Sequence, residues 1–170
     1  MRRLVFSLCG LLAITGAAGC DDAAAVPAGP PRAATAPSHG FGEGIPWEPF
    51  EGALAHAKSA GMPVMLVVHA SWCKRCKELK PVFAETEIEK LSQGFVMVNV
   101  DQDKEPRSLE YAPDGDYIPR VVFLSPEGVE DLTLTNERRT KHRYFYTPSD
   151  DLAGMMRKAL SRHERPRSPT

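Results

Sequence analysis

The stretch 63-PVMLVVHASWCKRCKELKPVF-83 joins two patterns, and their junction decides the fold. Residues 63–70 are a short apolar run bounded by a proline and a polar turn, which predicts a buried strand. Residues 73–91 place Leu79, Val82, Phe83 and Ile88 on one side of a helix, with Pro81 as a kink. Cys73 and Cys76 stand at the start of that helix. Two cysteines three apart face the same side and can close a disulfide across one turn. Unpaired backbone N–H groups at a helix start favour an anion, so the Cys73 thiolate is stabilised there. Lys74 and Arg75 add positive charge beside it. A stabilised thiolate is well populated and leaves readily, so the pair is suited to disulfide exchange. A Cys-x-x-Cys pair directly after a buried strand is the context that a redox motif requires.

Two other uses of the pair remain open at this stage. A purely structural disulfide gains little by closing so short a loop. A zinc site generally needs four ligands, and there is no second cysteine pair. His69 with Cys73 and Cys76 forms a candidate copper site, although the sequence has no Met-rich or further His/Cys cluster to accompany it.

Outward from this core, apolar spacing predicts a helix over 47–60, ended by Gly61, and strands over 95–100, 120–124 and 129–134. It also predicts a short helix over 105–111 and a last helix over 149–162 capped by Ser149. Helices interleaved with buried strands give an α/β class: a central mixed sheet of four to five strands flanked by helices. The basic run 138–143 reads as a solvated loop.

The whole chain has 170 residues, 42% hydrophobic and 25% charged, which suits one domain with tails. Lys and Arg total 21 against 22 Asp and Glu, giving a net charge of −1 and no electrostatic reason to expect nucleic-acid binding. Residues 1–19 have the basic, apolar, small-residue layout of a secretory signal. The end of that segment, with Cys20 next, resembles a bacterial lipoprotein signal, which implies lipidation of Cys20 and a place in the cell envelope facing the periplasm. Asp21 and Asp22 resemble an inner-membrane retention signal. Residues 20–40, rich in Ala, Pro and Gly, read as a flexible tether, residues 41–163 as the folded domain, and 164–170 as a polar tail. If Cys9 leaves with the signal and Cys20 carries lipid, Cys73 and Cys76 are the two free thiols of the mature chain.

The stretch SWCKRCKELKPVF resembles a thioredoxin active site, with Trp72 before the first cysteine, Lys77 after the second and Pro81 in the helix. Tyr117-Ile118-Pro119 before strand 120–124 matches the cis-proline of that superfamily. The resemblance implies that Pro119 faces the dithiol and that Ile118 offers its backbone to an extended client. The likeness extends over residues 45–162 to the small thioredoxin-domain proteins of the endoplasmic reticulum, the anterior-gradient group. It is carried by SAGMP (59–63), HASWC (69–73), PDGDYIPR (113–120) and YFY (144–146). It implies a thiol–disulfide oxidoreductase of protein clients, served by a membrane redox partner and needing no organic cofactor or metal.

Three departures bear on the chemistry. Many members carry a buried carboxylate six residues before the first cysteine, where this chain has Val67. His69, on the same strand face, is expected to replace it in part as a proton carrier. The Lys74-Arg75 pair between the cysteines is expected to favour the thiolate and an oxidising couple. Arg120 is expected to add another cation near the site.

Overall fold

The computed structural model describes residues 32–163. The signal, the lipidated Cys20, the first part of the tether and the 164–170 tail therefore lie outside the described residues. The apolar run forms β1 (Val64–His69), buried throughout. It is the middle strand of a sheet of order β2-β1-β3. β2 (Val96–Asp101) runs parallel to it, from Val64↔Val96 to His69↔Asp101. β3 (Arg120–Leu124) runs antiparallel, from Val64↔Leu124 to Val68↔Arg120. The sheet is mixed, as expected, but has three strands among the described residues rather than four or five. Residues 129–134 contribute only the bridge Leu124↔Glu130. There Asp131 Oδ1 accepts from the Thr133 amide at 3.0 Å and its carbonyl from the Leu134 amide at 3.1 Å, so the chain turns instead of extending.

Helices cover both faces. α1 (Phe50–Ala60) starts later than the spacing predicts, because Trp47 bridges to Met97 on the β2 edge and Pro49 is the N-cap. Gly61 ends it in the left-handed region at φ 63°, the conformation that suits glycine. The helix expected over 73–91 is three pieces: α2 (Lys74–Leu79), a 3-10 turn (Lys80–Ala84) and α3 (Thr86–Ser92). Pro81 has no N–H for an α-helical bond to Lys77, and Glu85 is extended. α4 (Leu152–His163) is capped by Asp151, not Ser149: its Oδ1 accepts from the Gly154 amide at 2.7 Å.

Strand alternation sorts the core into two layers. Met65, Val67, Val121 and Phe123 face Leu79, Phe83, Ile88 and Met156. Leu66, Val68, Val98, Val122 and Leu124 face Ala53, Ala57 and Tyr144. The tether boundary also needs correction, because residues 32–40 lie on the domain. Arg32 donates to Gln93 and Phe95 carbonyls and pairs with Glu48 at 3.2 Å. The Thr35 and Ala36 amides donate to the Trp47 carbonyl at 2.8 and 3.0 Å. Asn99 Nδ2 reaches the Ser38 carbonyl at 3.0 Å.

Candidate active site

β1 ends at His69, and the chain turns through Ala70, Ser71 and Trp72 into α2. The turn is closed by the Cys73 amide, which donates to the Ala70 carbonyl at 3.2 Å. Cys73 is the N-cap of α2, and its Sγ accepts from the Cys76 amide at 3.0 Å. That bond holds negative charge on Cys73 when the pair is reduced. Cys73 and Cys76 are joined as a disulfide with Cα atoms 5.3 Å apart. Cys73 keeps 5% exposure and Cys76 none, so an incoming sulfur meets Cys73 first.

The neighbouring cations are not equal. Lys74 and Arg75 are both exposed, but Arg75 donates to Glu78 at 2.8 Å, which offsets its charge. Trp72 is 65% exposed, with its indole N–H donating to Asp103 at 2.7 Å. This bond fixes a broad apolar plate at the lip of the dithiol.

The Ile118–Pro119 peptide bond is cis, as the motif implies. Ile118 is half-buried and packs against both core layers. Among the described residues no hydrogen bond uses its amide or carbonyl. The loop before it is held rigidly. Tyr117 Oη donates to Asp114 and accepts from the Tyr144 amide, and Asp114 also takes the Arg143 amide at 2.7 Å. Burial, with the Asp114 bond, pushes the Tyr117 phenol well above its ordinary range.

Arg120 departs from expectation. It is fully buried and lies with Val122 and Leu124 on the sheet face opposite the cysteines. Its guanidinium donates to the carbonyls of Tyr111 at 2.8 Å, Tyr117 at 2.8 Å and Ser108 at 3.0 Å. It braces the 108–117 loop and is not a surface cation of the site. The basic run is likewise partly internal, since Arg139 pairs with Asp150 at 3.0 Å and lies over the Phe145 ring.

His69 lies on the Val67 face but does not titrate near neutrality. Burial, with the charges of His39 and Lys80, lowers its pKa to about 4 against the opposing pull of Asp101. It is a neutral imidazole at working pH. Among the described residues no three His, Cys, Asp or Glu side chains form a group that could hold a metal ion, with Cys73 and Cys76 joined as a disulfide.

The family model described as thioredoxin-like matches residues 46–126. Anterior gradient protein 2 homolog of Mus musculus is 37% identical over 127 residues, covering 72% of this chain and 71% of its own. The chain belongs to the thioredoxin-like family, in its anterior-gradient group. Anterior gradient protein 3 of Xenopus tropicalis is 36% identical over 122 residues, covering 70% of this chain and 73% of its own. The DsbH oxidoreductase structure superposes with a TM-score of 0.51 at 22% identity, over 71% of this chain and 88% of that one, a likeness of fold. This member thus combines a thioredoxin-like scaffold with a disulfide-forming Cys-x-x-Cys pair, the equipment of a thiol–disulfide oxidoreductase.

Sequence reading missed Asp101, Asp103 and His39. Asp101 ends β2 beside His69 and accepts from the Ser71 amide at 3.1 Å and the Asp103 amide at 3.1 Å, pinning the turn before the cysteines. The signal was available, because parallel pairing of two adjacent apolar runs brings their polar ends together.

Proposed function

We propose that the protein exchanges disulfides with extracytoplasmic protein clients, as an oxidase or isomerase more than a reductase. The observation that carries this is the Cys73 Sγ set at the head of α2, bonded to the Cys76 amide and more open than its partner. Cys73 forms the mixed disulfide with the client, and Cys76 resolves it. The unused backbone of Ile118 pairs with an extended client segment, and Trp72 forms one wall of the groove. The bond from the Cys76 amide at the helix start favours the reduced thiolate, with a small share added by Lys74 and less by Arg75, and together these raise the potential above thioredoxin's of about −270 mV. The signal-like start of the chain supports an envelope location, with Cys20 as a lipid anchor and a membrane redox partner beside it.

The first test equilibrates the protein against glutathione buffers and counts free thiols. A potential above about −200 mV is expected, and one near or below about −260 mV overturns the oxidase or isomerase direction. Cys76→Ser is expected to accumulate mixed disulfides with scrambled clients, whose disulfides the Cys73 thiolate opens, and Cys73→Ser to form none. Client binding that survives Cys73→Ser unchanged, without turnover, would favour a noncovalent assembly module instead.

A further inference from the structure

Arg120 is fully buried, and its three hydrogen bonds all go to neutral main-chain carbonyls, those of Ser108, Tyr111 and Tyr117. Among the described residues no carboxylate forms an ion pair with it, and Asp116, Glu130 and Asp114 act on it only through space. Burying a guanidinium without a paired anion is costly. Uncharged side chains can brace a loop, so the charge calls for a further use.

Of the three acceptors, the Tyr117 carbonyl has a particular place. It shares one peptide unit with the Ile118 N–H, the donor that no hydrogen bond uses among the described residues. That unit is trans, the cis bond being the next one, Ile118–Pro119. A trans peptide is planar, with its C=O and N–H on opposite sides. A carbonyl drawn to 2.8 Å from Arg120 Nη1 therefore turns the Ile118 N–H away from the guanidinium. Arg120 stands on the sheet face opposite the cysteines, so the N–H is turned to the face that carries Cys73 and Cys76. A flipped unit would set its N–H against the guanidinium, donor to donor, and leave the buried charge short of an acceptor. The rest of Tyr117 is held as firmly. Its hydroxyl bridges Asp114 and the Tyr144 amide, and the His142 ring packs on its ring with centroids 4.4 Å apart.

We propose that Arg120 is a positioning residue for client binding: its bond to the Tyr117 carbonyl aims the Ile118 N–H at the dithiol face, where a carbonyl of an extended client segment accepts it. The proposal rests on the oxidoreductase reading above and assigns Arg120 to recognition, not to the sulfur chemistry. Main-chain pairing draws affinity from the client backbone, so the fitting clients are extended segments with a free carbonyl beside the disulfide. With such a segment seated, the Cys73 thiolate attacks one client sulfur. The Cys73–client bond forms, the client disulfide breaks, and the other client sulfur leaves with the electron pair as a thiolate.

The test measures how fast the reduced protein opens the disulfide of a peptide whose amides around the cysteines are replaced, one at a time, by esters. An ester carbonyl is the weaker acceptor, and dividing each rate by that with dithiothreitol removes the peptide's own reactivity. At least one position is expected to slow the parent about fivefold, the effect of one weakened hydrogen bond. In Arg120→Lys that penalty is expected to fall below about twofold, because one ammonium cannot hold three carbonyls and the peptide unit loses its direction. Tyr117→Phe loses the hydroxyl bonds but keeps its carbonyl on Arg120, and is expected to keep the parent's penalty. The proposal is overturned by a parent with no sensitive position, by an Arg120→Lys protein that is slower on every peptide with the penalty intact, or by a penalty lost equally in Tyr117→Phe. If Arg120→Lys does not fold, hydrogen exchange at the Ile118 amide decides. In Cys76→Ser it should slow at least about tenfold once Cys73 carries the all-amide peptide, and unchanged exchange overturns the proposal. A parent that opens none of the peptides overturns the oxidoreductase reading itself, and that is seen before any variant is made.

Discussion

At the scale of single residues, the electrostatics of the site depend on which charges are already partnered. Lys74 and Arg75 carry the same charge one bond from a cysteine, but Arg75 leans on Glu78. Lys74→Gln should therefore lower the reduction potential more than Arg75→Gln. The expected shift for Lys74→Gln is about 10 mV, since an exposed charge contributes only a few tenths of a kcal/mol. Equal shifts in paired glutathione titrations would show that the Glu78 contact does not neutralise Arg75 in solution. Arg120 is the opposite case, a charge wholly used inside. Arg120→Met leaves the carbonyls of Ser108, Tyr111 and Tyr117 without their donor and should cost about 3–5 kcal/mol in urea unfolding. Arg120→Lys should recover less than half, because one ammonium cannot span three acceptors set around a planar fork. The sequence showed Arg75 and Arg120 but not their partners, which are an ion pair that spacing alone does not guarantee for the first and main-chain carbonyls of the preceding loop for the second.

At the scale of elements, the segments read correctly from sequence were those whose pattern is enforced by burial on both faces. The 63–70 run, bounded by Pro63, could be little other than a central strand, and the cysteines follow it directly. The segments misread were those where local bonds competed with periodicity. Asp131 turned a would-be strand, Pro81 and Glu85 broke a would-be helix, and Trp47 joined a strand edge instead of a helix. The start of α4 shows how such local bonds matter. Asp150 accepts from Thr147, through both amide and hydroxyl, and from Arg139. Burial raises its pKa, but these bonds outweigh burial and bring it down to about 2. A carboxylate whose folded pKa is depressed contributes stability above its unfolded value, lost as pH falls from about 3.8 towards 2. Asp150→Asn should unfold more easily than the parent at pH 7 and converge with it near pH 2, as followed by thermal melting.

At the scale of the whole molecule, the domain is larger than its composition suggests, because a Pro- and Ala-rich stretch folds back along β2. Arg32, Thr35, Ala36 and Ser38 attach through main-chain groups, to which composition is blind. The same fold-back lays the ring of His39 against that of His69, so part of what surrounds the end of β1 comes from a segment that reads as a spacer. The burial of His69 also sets the acid behaviour of the domain. Its pKa falls from 6.5 to about 4 on folding, so the unfolded chain binds the extra proton first. Stability is complete above about pH 6.5 and is lost between there and about pH 4, by at most about 3 kcal/mol. His69→Phe should flatten the melting temperature across that window, and a parent whose melting temperature does not fall there would contradict the buried, neutral state of the ring.

The two tryptophans are placed as differently as two indoles can be. Trp47 is sealed in the core with its N–H on the Phe41 and Gly42 carbonyls, whereas Trp72 stands in water next to Cys73, steadied by Asp103. The molecule therefore carries its own optical gauge. Emission from the sealed indole is a constant internal standard while the fold holds, and the outer one dims or shifts with whatever sulfur or peptide comes to rest beside it. Redox state and occupancy can be followed on the unlabelled protein, in the ratio of a steady light to a changing one.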